Sequence, residues 1–294
     1  MEETKKYKLR GHESFCIREG WLAKGIKQVK QNPRVFHEKN SADALGVGTN
    51  MAKAIRYWLK ATGLTKEKPG VGTLLTELGE LVYDYDPYLE EDFTLWCLHM
   101  NLIGNKELAT SWYLFFSKCK MEEFAREELE RFMGEEIRKY TKKEEIALRS
   151  IKDDCGVLLQ MYAREKVQDY DPEDKMICPL SRLGILRKSE NGYRRTQPDL
   201  ERFPVEVLLY FLCSIRKEET SVNMETLFGD AVGVHAVLGL GNSAYQECLE
   251  ELSRNGYVDI NRTAGLDMIY KNRALTKEEV ALHYYTQTIT SSTK

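Results

Sequence analysis

The sequence is poor in the features that would place it outside the soluble globular class or name a chemistry outright. It has only 7 prolines in 294 residues, so no proline-rich linker divides it. No apolar run approaches the roughly 18 residues a bilayer span needs, because the richest stretches, near Leu208 and Leu238, are broken by Pro, Gly or charge. Residues 1–10 are polar and contain no apolar core of the signal-peptide kind. These absences lead to the expectation of a cytoplasmic protein without membrane contact. The 7 cysteines (16, 97, 119, 155, 178, 213 and 248) form no C-x-x-C pair, and the 5 histidines (12, 37, 99, 235 and 283) stand apart from one another. That scatter disfavours a disulfide framework, a zinc site and an iron-sulfur or sulfur-relay site, and no metal or cofactor is expected. There is no G-x-x-x-x-G-K-[ST] loop, and Gly70-Val71-Gly72 and Gly239-Leu240-Gly241 lack the strand-to-helix setting of a phosphate cradle, so they read as turns.

What is present is segregated charge. The formal net charge of −3 hides 13 Lys and Arg against 6 Asp and Glu in residues 1–60, a charge of +7, followed by 30 against 40, a charge of −10. Such a split marks the amino-terminal part as a candidate for contact with a polyanion.

Helical periodicity dominates. Ile17, Trp21, Leu22, Ile26 and Val29 predict a helix from a Ser14 cap to Lys30, ended by Asn32-Pro33. Acid-first pairs at four-residue spacing predict another from Glu122 to Tyr140. Thr141-x-x-Glu144, Ser150-x-x-Asp153 and Thr276-x-x-Glu279 have capping-box form and predict three helix starts. Asn191-Gly192 within Ile185–Thr196 predicts a tight hairpin, and Tyr257–Asn261 with Met268–Lys271 a second one around Thr263-Ala264-Gly265. Charge and Asp171-Pro172 suggest a linker over 166–175. The fold class is therefore expected to be mainly α, with several winged-helix or helix-turn-helix units and short β-hairpins. Three segments are expected: a basic helix-turn-helix domain at 1–105, a central helical unit with a basic hairpin at 106–200, and a winged-helix-like domain at 201–294.

The sharpest local signal is SADALGVGTNMAKAIRYWL, Ser41 to Leu59. Gly46 can form the sharp turn of a helix-turn-helix, with Ala42 and Ala52 small enough for a close crossing. The second helix would then expose Thr49, Asn50, Lys53 and Tyr57 to a major groove, with Arg56 and Lys60 reaching phosphates. The competing reading is a helical hairpin packed into a core. In the Asn-Gly hairpin, Arg187, Lys188, Arg194 and Arg195 face only Glu190, as in a phosphate-gripping wing, or else as an ordinary solvated hairpin. A helix over Ser243–Asn255, burying Ala244, Cys248 and Leu252, would carry Glu247, Glu250 and Glu251; these repel phosphate and favour packing or protein contact.

Enzymatic signals are thin. Asp84, Asp86, Glu90, Glu91 and Asp92 have the hard oxygens a Mg²⁺ nuclease needs, but such a run more often begins a helix. His12-Glu13 and His99 lack a nucleophile context and read as hydrogen-bonded histidines.

GHESFCIREGWLAKG (Gly11 to Gly25), ADALGVGTNMAKAIRYWLKATGL (Ala42 to Leu64), TELGELVYDYDPYLEEDFTLWCLHMNL (Thr76 to Leu102) and CPLSRLGIL (Cys178 to Leu186) together resemble the prokaryotic domain-of-unknown-function family 4007. Members of that family resemble companions of phosphoadenosine-phosphosulfate-reductase-like proteins in DNA phosphorothioation and phage-defence islands. The resemblance implies a role at DNA, as regulator or accessory subunit, and supplies no catalytic residues. The expected function is non-catalytic binding of double-stranded DNA, with protein subunits of a modification or restriction system as possible partners. An interaction scaffold and a divalent-metal nuclease are the alternatives.

Overall fold

The computed structural model describes residues 6–164, 177–215, 219–263, 265–272 and 275–292; the linker expected at 166–175 lies outside them. The chain forms two compact units, Met1–Thr196 and Gln197–Lys294, and the expected segment 1–105 lies within the first. Both are mainly helical with small sheets, chiefly antiparallel.

In the first unit the chain runs through α1 (Trp21–Gln31), α2 (Ser41–Leu45), α3 (Thr49–Ala61), the hairpin β1 (Thr65–Lys68) and β2 (Gly72–Leu75), α4 (Glu77–Tyr85), α5 (Asp92–Gly104) and α6 (Thr110–Lys118). Then follow β3 (Glu123–Phe124), α7 (Arg126–Thr141), α8 (Leu148–Tyr162), β4 (Ala163–Arg164), β5 (Leu186–Ser189) and β6 (Gly192–Arg195). Helix α5 buries residues on all sides, from Phe93 to Ile103, as a helix at the centre of a core must. Around it Trp58, Trp112, Phe115 and Tyr162 are fully buried, as is its own Trp96. Strands β3, β6, β5 and β4 make a sheet in that order, with β4 parallel to β5.

Four helix expectations change. The helix expected from Glu122 begins at Arg126, because Glu123 and Phe124 pair with β6 as the strand β3. The first helix begins at Trp21 rather than near Ser14, because Glu13, Ser14 and Gly20 take left-handed backbone and fold residues 10–20 into turns. Thr141 ends α7 instead of starting a helix: its hydroxyl donates to the Ile137 carbonyl, and left-handed Lys142 caps the helix. Ser150 lies inside α8, which starts at Leu148.

The second unit contains α9 (Glu206–Ile215), β7 (Ser221–Asn223), α10 (Met224–Gly229), α11 (Val234–Leu238), α12 (Asn242–Arg254), β8 (Val258–Thr263), β9 (Leu266–Lys271) and α13 (Lys277–Ser292). The sheet order is β7-β9-β8, all antiparallel, with Ile260 opposite Ile269. The Thr276 capping box forms as expected: the Thr276 amide donates to Glu279 at 2.7 Å, and the Glu279 amide to the Thr276 hydroxyl at 3.1 Å. Cys248 of α12 is only half-buried, against expectation, while Tyr245 and Leu249 fill the core beside Ala244 and Leu252.

One device occurs twice. Ser41 and Val234, Thr49 and Asn242, Ala61 and Arg254, and Thr65 and Val258 are each 193 residues apart, so the helices of α2-α3-β1 and α11-α12-β8 share lengths and the strands begin at the same spacing. In both, a left-handed glycine ends the short helix: Gly46 at φ 62° and Gly239 at φ 69°. Leu64 and Tyr257 donate to Leu59 and Leu252, and Gly63 and Gly256 to Lys60 and Ser253, closing the long helices with one cap geometry.

Candidate nucleic-acid interface

Helices α2 and α3 are joined by Gly46, whose amide donates to the Asp43 carbonyl (3.0 Å) while Val47 donates to Ala42 (3.0 Å). This double closure satisfies carbonyls at the end of α2 and turns the chain sharply into α3. What lets α1 pack against α3 is Gly25: a Cβ there would lie 2.6 Å from Leu59 Cδ1 and 2.9 Å from Ile55 Cγ2.

The six candidate residues of this segment separate into three groups. Thr49, Asn50, Lys53 and Lys60 are exposed on α3, and the Lys53 ammonium donates to Asn50 Oδ1 at 3.2 Å. Arg56 is half-buried and bound: its guanidinium donates twice to Glu67 Oε1 of β1 (3.0 and 2.9 Å) and contacts His37 Nε2 (3.1 Å). That ion pair, rather than a phosphate, is its partner, and it ties the helix to the hairpin. Burial pushes the Glu67 carboxyl up, but hydrogen bonds from Arg56, His37 and Thr73 and the Arg56 charge win and hold it below the usual range.

Tyr57 does not face solvent. It is 7% exposed, its hydroxyl donates to the Leu108 carbonyl (2.8 Å), and its ring packs against Trp58 and His12. Burial and the nearby Asp154 carboxylate push its phenol well up. The expectation of a groove-facing Tyr57 assumed a helix with one covered side. Here α3 is covered on two, because residues 8–15 close over Tyr57 and Trp58 and Trp112 of α6 packs on Trp58.

That cover is itself locked. His12 is fully buried, stacked on Trp58 at an interplanar angle of 7°, and its Nδ1 accepts from the Ser14 amide (3.1 Å) while Nε2 donates to Asp154 Oδ1 (2.9 Å). Asp154 also accepts from the Arg10 amide (2.8 Å) and the Ser111 hydroxyl (2.5 Å). Arg10, Glu13 and Ser14 all have positive φ, a conformation that costs such residues about 1 kcal/mol or more each. The buried carboxylate offsets that strain. The histidine expected to be merely hydrogen-bonded is thus the keystone of a loop, and its glycine-flanked GHES context was the available signal.

The basic hairpin β5–β6 forms, but with a different turn. Ser189 pairs with Gly192, so Glu190 and Asn191 make the loop and neither has positive φ. Gly192 serves a different need: strand β3 crosses it so closely that a Cβ would sit 2.3 Å from the Phe124 carbonyl oxygen. Arg187 and Lys188 are exposed, and Arg194 pairs with Glu123 at 2.9 Å. Arg195 is a structural residue, since it donates to the Phe115 and Cys119 carbonyls (3.1 and 3.0 Å) and stacks on Phe115. It satisfies the open end of α6, which removes it from the set available to phosphate. Two cations absent from the initial set, Lys66 and Lys68, are exposed on β1 beside α3. The turn Pro69-Gly70 between two short β-compatible runs was their sequence signal.

The acidic run is a helix entry. Asp86 is buried and accepts from the amides of Glu90 and Glu91 (2.7 and 3.2 Å), and burial pushes its carboxyl up. Asp92 opens α5 and pairs with Arg182 at 2.7 Å. Among the described residues no group of three or more His, Cys, Asp or Glu side chains is placed to hold a metal ion. His99 hydrogen-bonds the Tyr162 hydroxyl at 2.8 Å inside the core. Among the described residues no helix is long and apolar enough to cross a membrane.

Two solved structures share this fold. One, described as a magnesium ion-bound SspB crystal structure, matches with a TM-score of 0.81 and 23% identity, over 96% of this chain and 94% of that one. Another, described as an SspB crystal structure, matches with a TM-score of 0.80 and 23% identity, over 96% and 95%. No curated protein matches the sequence. A model of a protein family of unknown function matches residues 9–285, and the chain belongs to that family, DUF4007.

Proposed function

We propose that this protein is a non-catalytic duplex-DNA-binding accessory subunit of a DNA-modification or phage-defence system, of the phosphorothioation type that the family resemblance implies. In this reading α2, α3 and the β1–β2 hairpin act as a winged-helix reader. The observation that carries it is the placement of Lys53 and Lys60 on the open strip of α3, with Lys66 and Lys68 on the hairpin that adjoins it. A helix-turn-helix followed by a hairpin is the order in which such readers are built, and lysines supply the counterion release that dominates affinity. Arg187 and Lys188 would extend the phosphate contacts from the β5–β6 hairpin, with Arg194 held partly by Glu123.

The test is titration of a fluorescent duplex with the full chain at several salt concentrations. Affinity is expected to fall steeply with salt, and Lys53→Ala and Lys60→Ala should each flatten the log–log slope by about 0.9. Absence of binding at low salt, or an unchanged slope, removes the reading. A second reading, an interaction scaffold, is favoured by Glu247, Glu250 and Glu251 lying exposed on α12. Co-purification with subunits of a modification system that is lost on reversing these three charges would support it.

A further inference from the structure

We infer that α3 holds duplex DNA by its sugar-phosphate backbone and is indifferent to base sequence, an inference that rests on the DNA-binding reading above. A helix that reads base edges inserts a face spanning its first two turns, here positions 49, 50, 53, 54 and 57. Ala54 and Tyr57 are sealed. Gly11 lies so close to the Tyr57 ring that a Cβ would be 2.3 Å from Cε2, the Tyr57 hydroxyl is held by Leu108, and Lys8 Nζ sits 5.7 Å from the ring centroid. Protein backbone therefore occupies the space that base edges would need.

The seal is built to stay. His12, Ser111 and the Arg10 amide converge on the buried Asp154 carboxylate, and left-handed backbone at Arg10, Glu13 and Ser14 is held by those bonds. What remains open is a narrow strip of Thr49, Asn50, Lys53 and Lys60. Asn50 is the one amide in that strip, and its Oδ1 already accepts from Lys53. Lys53 and Lys60, seven residues apart, lie about 10.5 Å from each other along the helix axis, roughly three base-pair rises. Lys66 and Lys68, two residues apart on β1, share one face of the hairpin. An ammonium is a compact point charge that meets phosphate without preference for a base. The strip thus offers two ammoniums suited to phosphate and only two short neutral side chains of base-reading chemistry, Thr49 and Asn50, both in its first turn.

The experiment measures binding of the full chain to three labelled duplexes of equal length, one of mixed sequence, one of A·T pairs only and one of G·C pairs only, by fluorescence anisotropy at several salt concentrations. The inference expects dissociation constants within about threefold of one another and a common salt slope. Asn50→Ala should change each by less than about twofold, while Lys53→Ala and Lys60→Ala weaken all three alike. A tenfold preference for one duplex, or selective loss of one on Asn50→Ala, overturns sequence indifference while leaving DNA binding in place. Equal binding that Lys53→Ala and Lys60→Ala do not move overturns the assignment to α3. Failure of every duplex to bind removes the DNA-binding reading itself.

Discussion

Helices α3 and α12 have one length, one pair of caps and one position between a short helix and a hairpin, yet their outward faces are opposite in kind. Helix α3 carries Lys53, Arg56 and Lys60 and no acid; α12 carries Glu247, Glu250 and Glu251 against a single Arg254. The deeper difference is cover. Ala54, Tyr57, Trp58 and Ala61 are buried in α3, whereas their counterparts Glu247, Glu250, Glu251 and Arg254 are exposed in α12. One backbone device therefore serves as the middle of a core in the first unit and as a surface helix in the second. The hairpin link differs as well: where Arg56 is tied to Glu67, the equivalent positions hold Leu249 and Ile260. What the comparison teaches is that the helix-turn-helix geometry alone does not fix a reading face; the elements packed around it decide which side remains.

The comparison breaks most visibly at the covered face. Tyr57→Ala should destabilise the first unit by about 3–5 kcal/mol, the cost of emptying a large buried aromatic site. Glu250→Ala, at the equivalent exposed position, should stay within about 0.5 kcal/mol of wild type. Denaturant midpoints of the two variants check the pair, and similar losses would mean that α12 is covered too. Next in size is the lock on that cover. Asp154→Ala leaves the His12 ring, the Ser111 hydroxyl and the Arg10 amide without their buried acceptor, for an expected loss of about 3 kcal/mol. Hydrogen exchange in residues 10–15 should rise first, since the left-handed backbone there depends on this carboxylate.

How much of this could be read from the residues follows from what each signal depends on. The α2–Gly46–α3 turn was legible because it is local: a glycine, small neighbours and a helical period within nineteen residues. Its twin was legible in the same terms, since Leu45-Gly46-Val47-Gly48 and Leu238-Gly239-Leu240-Gly241 follow one pattern, although only the first suggested a site. The exposed Thr49, Asn50, Lys53 and Lys60 followed from periodicity. Tyr57 did not, because its cover comes from residues 11–12 and 108, beyond any local window. Arg56 and Arg195 look like free cations in sequence and are bound in the fold, to Glu67 and to the end of α6, by contacts that only the tertiary arrangement creates. Gly192 was found for the wrong reason, since β3 rather than the turn requires it.

A smaller effect tests the sameness of the two devices. Gly46→Ala and Gly239→Ala each force a Cβ into left-handed backbone, costing about 1–2 kcal/mol. Because φ is 62° in one and 69° in the other, the two losses should agree to within a few tenths of a kcal/mol. Thermal melts of the two variants make the comparison. A neutral result at either site would show that the turn there relaxes and that the shared geometry is not enforced by the glycine.

The smallest effect separates the two hairpin links by pH. Glu67 is held below the usual carboxylate range in the folded chain, so its contribution to stability is present above the unfolded value near 4.3 and is lost as pH falls through the folded one. Protonation removes the charge that Arg56 and His37 face, and the contact between α3 and β1 loosens. Leu249 and Ile260 carry no proton to gain, and the ion pair that does link α12 to β8, Glu250 with Arg262 at 3.4 Å, joins two half-exposed side chains and contributes little, so that junction should respond much less over the same interval. Amide hydrogen exchange, corrected for intrinsic rates, should therefore show protection of β1 and β2 declining below about pH 4 while β8 and β9 hold. If both hairpins decline together, acid acts on the units as wholes and the Arg56–Glu67 pair is not what joins helix to hairpin. If the first declines and the second holds, a partly buried ion pair secures one junction, while the exposed Glu250–Arg262 pair adds little to the other.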